Sequence, residues 1–230
     1  MPAGGYSVPF NGASSGTAAT VAALRTLSFA EAERRGRAVA LALHQAGLAT
    51  GDKVAVATAD PVDFYLAAAA CHLGAMALIP IDPTSGRTDL ADILELTRPA
   101  VLIADDPVLE RLGANRPNIL WQSGAPPRET PKSSPGRRFF RRPAAPLPSI
   151  DALAQTPGDW EPGAFGDDLA ACIICTSGTT SSSKATVLSR GALRAHVETL
   201  ARVFGYGADA RFLNLLPTHH VDGLVHGVYA

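Results

Sequence analysis

From Ser28 to Trp121 the chain alternates amphipathic helical stretches with short runs that are apolar throughout. Runs of that kind read as strands buried on both faces, and parallel strands need a crossover long enough to hold a helix. The alternation therefore predicts an α/β fold, a mostly parallel sheet with helices on both faces. Ser28 with Glu31 forms a capping box ahead of helical spacing at Ala32, Val39 and Leu43, which Gly47 ends. "KVAVAT" follows Asp52 as a strand, and Asp60 and Pro61 suit the cap and first position of a helix through "FYLAAAACHL" to Gly74. "AMALIPI" is the next strand. A helix at about Asp89 to Leu96, a strand "AVLIAD", a short helix near Leu109 and a strand near "NILW" continue the series.

The pattern breaks at Ser123. Proline density over "SGAPPRETPKSSPGRRFFRRPAAPLP" forbids regular structure, and its arginines flank Phe139 and Phe140. Order is expected to return at Leu169 with a strand "LAACIICT", a hydroxyl-rich loop, "ATVLS", a helix from Arg190 to Phe204 capped by Ser189, a strand "RFLNLL" and a loop "PTHHVDG". This organises the chain as a flexible lead-in over 1–26, a first α/β portion over 27–122, a Pro/Arg-rich excursion over 123–168 and a second α/β portion over 169–230. No internal repeat is evident.

A formal net charge of -1 gives no global electrostatic case for nucleic acid or an anionic membrane, so any phosphate binding must be local. The longest apolar stretch, Leu66 to Ile81, is interrupted by His72 and Gly74 and falls short of the roughly 20 residues a membrane helix needs. The first residues lack the basic start and apolar run of a secretory signal, and three cysteines make no disulfide framework, so a cytoplasmic location is expected. Cys172 and Cys175 have CxxC spacing but lie within a strand, where residues three apart point to opposite faces and cannot share a metal.

"TSGTTSSSKA", beginning at Thr176, carries the chemistry. A strand that ends in a turn of small residues leaves backbone N–H groups converging on one concavity, a ready anion site. Ser177, Thr179, Thr180, Ser181, Ser182 and Ser183 add hydroxyl donors around Gly178, and Lys184 adds the charge, a set suited to the polyphosphate of a nucleotide. The Walker A loop, G-x-x-x-x-G-K-S/T, fits less well, with Ser183 at its second glycine and Ala185 at its metal-binding hydroxyl.

The same stretch resembles the phosphate loop of the adenylate-forming (AMP-binding) superfamily, S/T-S-G-T-T-G-x-P-K-G, in its acyl-CoA synthetase and acyl- or aryl-acid ligase branch. The region from Arg25 to Pro83 is similar to that family's opening helix–strand–helix segment, and "NLLPTHHVDG" resembles its P-x-x-H-x-x-G motif on Pro217, His220 and Gly223. The resemblance implies an incomplete N-terminal domain of an enzyme that activates a carboxylic acid with ATP and Mg2+, forming an acyl adenylate that passes to the thiol of CoA or phosphopantetheine. It implies that Thr176 to Lys184 hold the β and γ phosphates and that His220 lines the acid and adenylate pocket. A small carboxylic acid, and a carrier protein or complementing chain, are the partners it implies. Ser181, Ser183 and Ala185 stand where the family has glycine, proline and glycine, which predicts an altered loop shape because a Cβ resists positive φ and crowds a bound phosphate. The family's later segments have no counterpart by position here. The expectation is therefore the N-terminal part of such a ligase or, alternatively, a nucleotide- or partner-binding remnant or one half of a split enzyme.

Overall fold

A computed structural model describes residues 5–8, 25–112, 117, 119–123, 148–158, 160, 163, 165–176, 184–207 and 213–229. Ser28 starts the first helix as expected: its Oγ accepts from the Glu31 N–H at 3.2 Å, and α1 (Phe29–Gln45) buries Ala32, Val39 and Leu43. Strand β3 (Lys53–Ala57) follows. Asp60 then accepts from the N–H groups of Val62 and Asp63 at 2.8 and 3.1 Å, capping α2 (Pro61–Leu73), which stops at Gly74. The series continues through β4 (Ala77–Pro80), α3 (Arg87–Thr97), β5 (Val101–Ala104), α4 (Asp106–Arg111) and β6 (Ile119–Gln122). After α5 (Ile150–Leu153) come β7 (Ala170–Thr176), β8 (Lys184–Ser189) and α6 (Arg190–Phe204), with Ser189 capping α6 through the Ala192 N–H. A short α7 (Val221–Leu224) runs into one π-helical stretch, Val225–Tyr229.

Six strands form one sheet in the order β6-β5-β3-β4-β7-β8, parallel except for β8, which pairs antiparallel with β7. The fold class read from the sequence is thus what the chain adopts. The step from β3 to β4 and the return from β4 to β5 run in opposite directions, so right-handed crossovers must place α2 and α3 on opposite faces. The two cores show this. Val54, Val56, Leu78 and Ile103 pack with residues of α1 and α2, while Ala55, Ile79 and Leu102 pack with Leu90 and Leu94 of α3. Alternate residues of each strand serve opposite faces, which is why these runs are apolar throughout.

Three regions differ from the sequence reading. Gly5–Val8 (β1), inside the proposed flexible lead-in, pairs antiparallel with Arg25–Ser28 (β2), because that ladder gives both segments' backbones partners. Order also returns before Leu169. The Gln122 N–H donates to Pro148 O at 2.9 Å, Ile150 is fully buried, and Trp160 stacks on His44 with ring centroids 4.1 Å apart. The apolar side chain of Ile150 explains the return: it completes the core beneath α1 and α2. Finally, the expected strand "RFLNLL" is not formed over its described residues 213–216. Among the described residues no strand pairs with this segment, and Leu213 and Leu215 are 65% and 82% exposed, so it has neither a ladder nor a face to bury. The basic, aromatic part of the excursion lies outside the described residues.

Candidate functional site

The register of β7 and β8 places Thr176 opposite Lys184. These two residues close an antiparallel pair at the C-terminal end of the parallel strand β7. Ser177, Gly178, Thr179, Thr180, Ser181, Ser182 and Ser183 lie outside the described residues, so the predicted phosphate loop is located by its two anchors. Lys184 is exposed at the base of that segment. In open α/β sheets, ligands bind outside the carboxyl ends of the strands, and Thr176 ends β7 at that edge.

The motif "PTHHVDG" reaches the same edge through a tight turn. The His220 N–H donates to Pro217 O at 3.0 Å, and the Leu224 N–H donates to His220 O at 2.8 Å. His220 is the N-cap of α7: the Asp222 N–H donates to its Nδ1 at 3.4 Å, and its side chain is 60% exposed. Its capping lone pair is committed to the backbone, leaving Nε2 as the ring atom available to a ligand. Gly223 explains the motif's spacing, because a Cβ there would lie 2.1 Å from Pro217 O and 3.0 Å from Leu216 O. The helix therefore sits directly on the Pro217 backbone, and Asn214 Nδ2 closes the contact by donating to Gly223 O at 3.2 Å.

His219, the residue before His220, is the more buried neighbour. Its side chain is 22% exposed and its Nε2 lies 3.8 Å from Asp82 Oδ1, just beyond β4. Burial lowers the His219 imidazole below the ordinary histidine value, against the opposing pull of Asp82. Burial raises the Asp82 carboxyl, but the hydroxyl and N–H of Thr84, with His219 and Arg111, more than offset it and hold the group below the usual carboxylate value.

A second polar cluster, absent from the sequence reading, closes β3, β5 and β6. Thr58 Oγ1 donates to Asp105 Oδ1 at 2.8 Å, the Ala59 N–H donates to Asp105 Oδ2 at 2.7 Å, and Thr58 and Ser123 hydroxyls meet at 2.6 Å. The Ser123 hydroxyl, whose single proton is shared between Thr58 and this carboxylate, also lies 3.0 Å from the buried Asp63. The crossovers diverge to opposite faces here, so these bonds hold together strand ends that helices alone would leave splayed.

The cysteines are core residues. Cys172 packs with the α1–α2 core and Cys175 with the opposite one, so their thiols face away from each other. Burial pushes the Cys172 thiol up to about 12 and raises those of Cys71 and Cys175 as well. Among the described residues no group of three or more His, Cys, Asp or Glu is placed to hold a metal ion. A cavity of about 310 Å3 lies at the other end of β7, lined by His72, Arg190, Leu193, Arg194 and Tyr229. Its cations serve the scaffold: Arg190 donates to His72 O at 2.9 Å in the last turn of α2, and Arg194 forms a two-pronged pair with Asp167 at 2.7 and 2.9 Å. No described helix is long and apolar enough to cross a membrane.

The chain is an α/β protein built on an open, mostly parallel sheet, with a hydroxyl-rich sequence following one of its strands. More specifically, the chain belongs to the AMP-binding enzyme family, whose pattern it matches over residues 11–230. It is similar to naringenin synthase of Pestalotiopsis fici, 26% identical over 86% of this chain and 7% of that protein. It is also similar to malonate–CoA ligase of Arabidopsis thaliana, 38% identical over 30% of this chain and 11% of that protein. Among solved structures, MatB from Rhodopseudomonas palustris superposes with a TM-score of 0.73 without ligand and 0.70 with ATP, at 22% identity, covering 89% of this chain and 38% of MatB. The chain thus spans well under half the length of these proteins.

Proposed function

We propose that this chain supplies the ATP-binding part of an acid–thiol ligase. The observation that carries the reading is the junction of Thr176 and Lys184, paired at the carboxyl edge of the parallel sheet and joined by a serine- and threonine-rich segment, in a member of the AMP-binding family. In the reaction, a carboxylate oxygen of the acid attacks the α phosphorus of ATP and pyrophosphate leaves; a thiol sulfur then attacks the acyl carbonyl and AMP leaves. The backbone N–H groups and hydroxyls from Thr176 to Ser183, with the Lys184 ammonium, hold the β and γ phosphates, where negative charge grows as the bond to the α phosphorus breaks. Mg2+ accompanies the nucleotide, and we assign it no ligand from this chain. His220 presents Nε2 to the acid and adenylate. The acceptor is the thiol of CoA or of a carrier's pantetheine.

The test is ATP binding and acid-dependent ATP–pyrophosphate exchange by the intact gene product, with malonate as the first substrate because a similar protein is named as a malonate–CoA ligase. Lys184→Ala should weaken ATP binding about tenfold to a hundredfold, the scale of a lost charge-assisted contact. Absence of ATP binding by the intact protein, with no effect of Lys184→Ala, would overturn the reading.

A further inference from the structure

The turn that carries His220 is tied to the sheet through its neighbour. Asp82 is oriented by its own turn, with the N–H and hydroxyl of Thr84 both donating to Oδ1 at 2.7 Å, and Arg111 of α4 donates to the adjacent Pro83 carbonyl. The parallel register sets Leu78 of β4 opposite Cys172 of β7, and Asp82 follows two residues after β4 ends, at the carboxyl edge where β7 ends at Thr176. His219 reaches this point from the other side, at 3.8 Å from Asp82.

We propose that Asp82 and His219 form a positioning pair that seats the turn from Pro217 to His220 on the carboxyl edge of the sheet. What the seated turn serves rests on the ligase reading; the contact itself does not. The charged and titratable groups facing the pair are Arg111 on the Asp82 side and His220 on the His219 side. Acid should unseat the turn. The seated imidazole binds its proton less readily than the ordinary value of 6.5, so the seating is fully present above about that pH and weakens as pH falls below it. Asp82 moderates the effect by favouring the protonated ring, so its charge removal makes the acid loss larger at the same pH.

The experiment is hydrogen–deuterium exchange across residues 217–224 of the intact protein from about pH 8 to about pH 5, corrected for intrinsic exchange, in wild type, Asp82→Asn, His219→Gln and the double variant. Asparagine keeps an oxygen for Thr84, and amides of β3 and β5 report whether each variant is folded. His219→Gln should speed exchange of the turn about threefold to tenfold at neutral pH, the double variant no more than His219→Gln, and a gap between wild type and Asp82→Asn should open in acid, where the ring takes up its proton. Unchanged or additive exchange overturns the pair. Pyrophosphate exchange on the same proteins separates the two readings: a coupled turn in a protein without exchange activity overturns only the ligase, and activity with an uncoupled turn overturns only the pair.

Discussion

Gly223→Ala tests whether the helix-on-proline contact is what the motif's last glycine secures. The added Cβ would meet three backbone atoms, Pro217 O at 2.1 Å, Pro217 C at 2.8 Å and Leu216 O at 3.0 Å, and none of these can rotate away. To bring the closest contact to 3.0 Å, α7 or the Pro217 backbone must retreat by about 0.9 Å. That movement stretches the Asn214 contact to Gly223 O, already 3.2 Å, and pulls at Leu224, which is fully buried in the core against α2. Overpacking against a rigid neighbour costs about 1–3 kcal/mol, and the loosened contacts bring the expected total to about 2–4 kcal/mol. For a chain of this size each kcal/mol lowers the melting temperature by about 2–4 °C, so a fall of roughly 4–16 °C is expected. Gly207→Ala is the control, because a Cβ there meets nothing within 4 Å, and it should shift stability by no more than about 0.5 kcal/mol. Thermal unfolding followed by circular dichroism reads both. If Gly223→Ala melts within a degree of Gly207→Ala, the steric account of the motif is wrong.

Thr58→Val keeps the side chain's shape but removes the hydroxyl that bonds Asp105 and Ser123, and should cost about 2–4 kcal/mol in urea unfolding, whereas Thr58→Ser should cost less than about 1.5. Equal losses would mean the hydroxyl is not what matters. Folded protein should resist alkylation of Cys71 and Cys172 at pH 8, since burial raises both thiols and hides them, with labelling seen by mass spectrometry only after unfolding. Asp82 should contribute stability above the ordinary carboxylate value and lose it as pH falls through its lowered one; the stability gap between wild type and Asp82→Asn should therefore close in strong acid, as pH-dependent denaturation would show.

Elements that a single segment can specify were legible without a structure. The Ser28, Asp60 and Ser189 caps each satisfy orphan N–H groups within three residues of themselves, and all three form the bonds their spacing implied. "RFLNLL" shows the limit of the same reasoning. Its composition favours a strand, but a strand exists only with a neighbour to bond, and composition cannot supply one. The lead-in and the end of the excursion misled for the converse reason: Gly5–Val8 and Ser149–Ile150 are ordered by partners distant in sequence, Arg25–Ser28 in one case and β6 in the other.

The same distinction divides the site. Thr176 and Lys184 stand within a short stretch whose residue types point to them, and His220 stands within a motif that the family resemblance supplies. Thr58, Asp105 and Ser123 carry a weaker signal, each being the first polar residue after an apolar run or its final glutamine. What gives the signal meaning is register. Ala57 lies opposite Ala104 and Ala104 opposite Gln122, so the three next residues arrive at one level and their side chains can bond. The sheet order that brings them together skips a strand in sequence, β3 lying between β4 and β5, and a pattern read along the chain does not contain that adjacency. Asp82 and His219 obey the same logic across 137 positions, Asp82 at the end of β4 and His219 in a turn that α7 holds in place. Local chemistry thus names the candidate groups, while long-range register decides which others stand behind them.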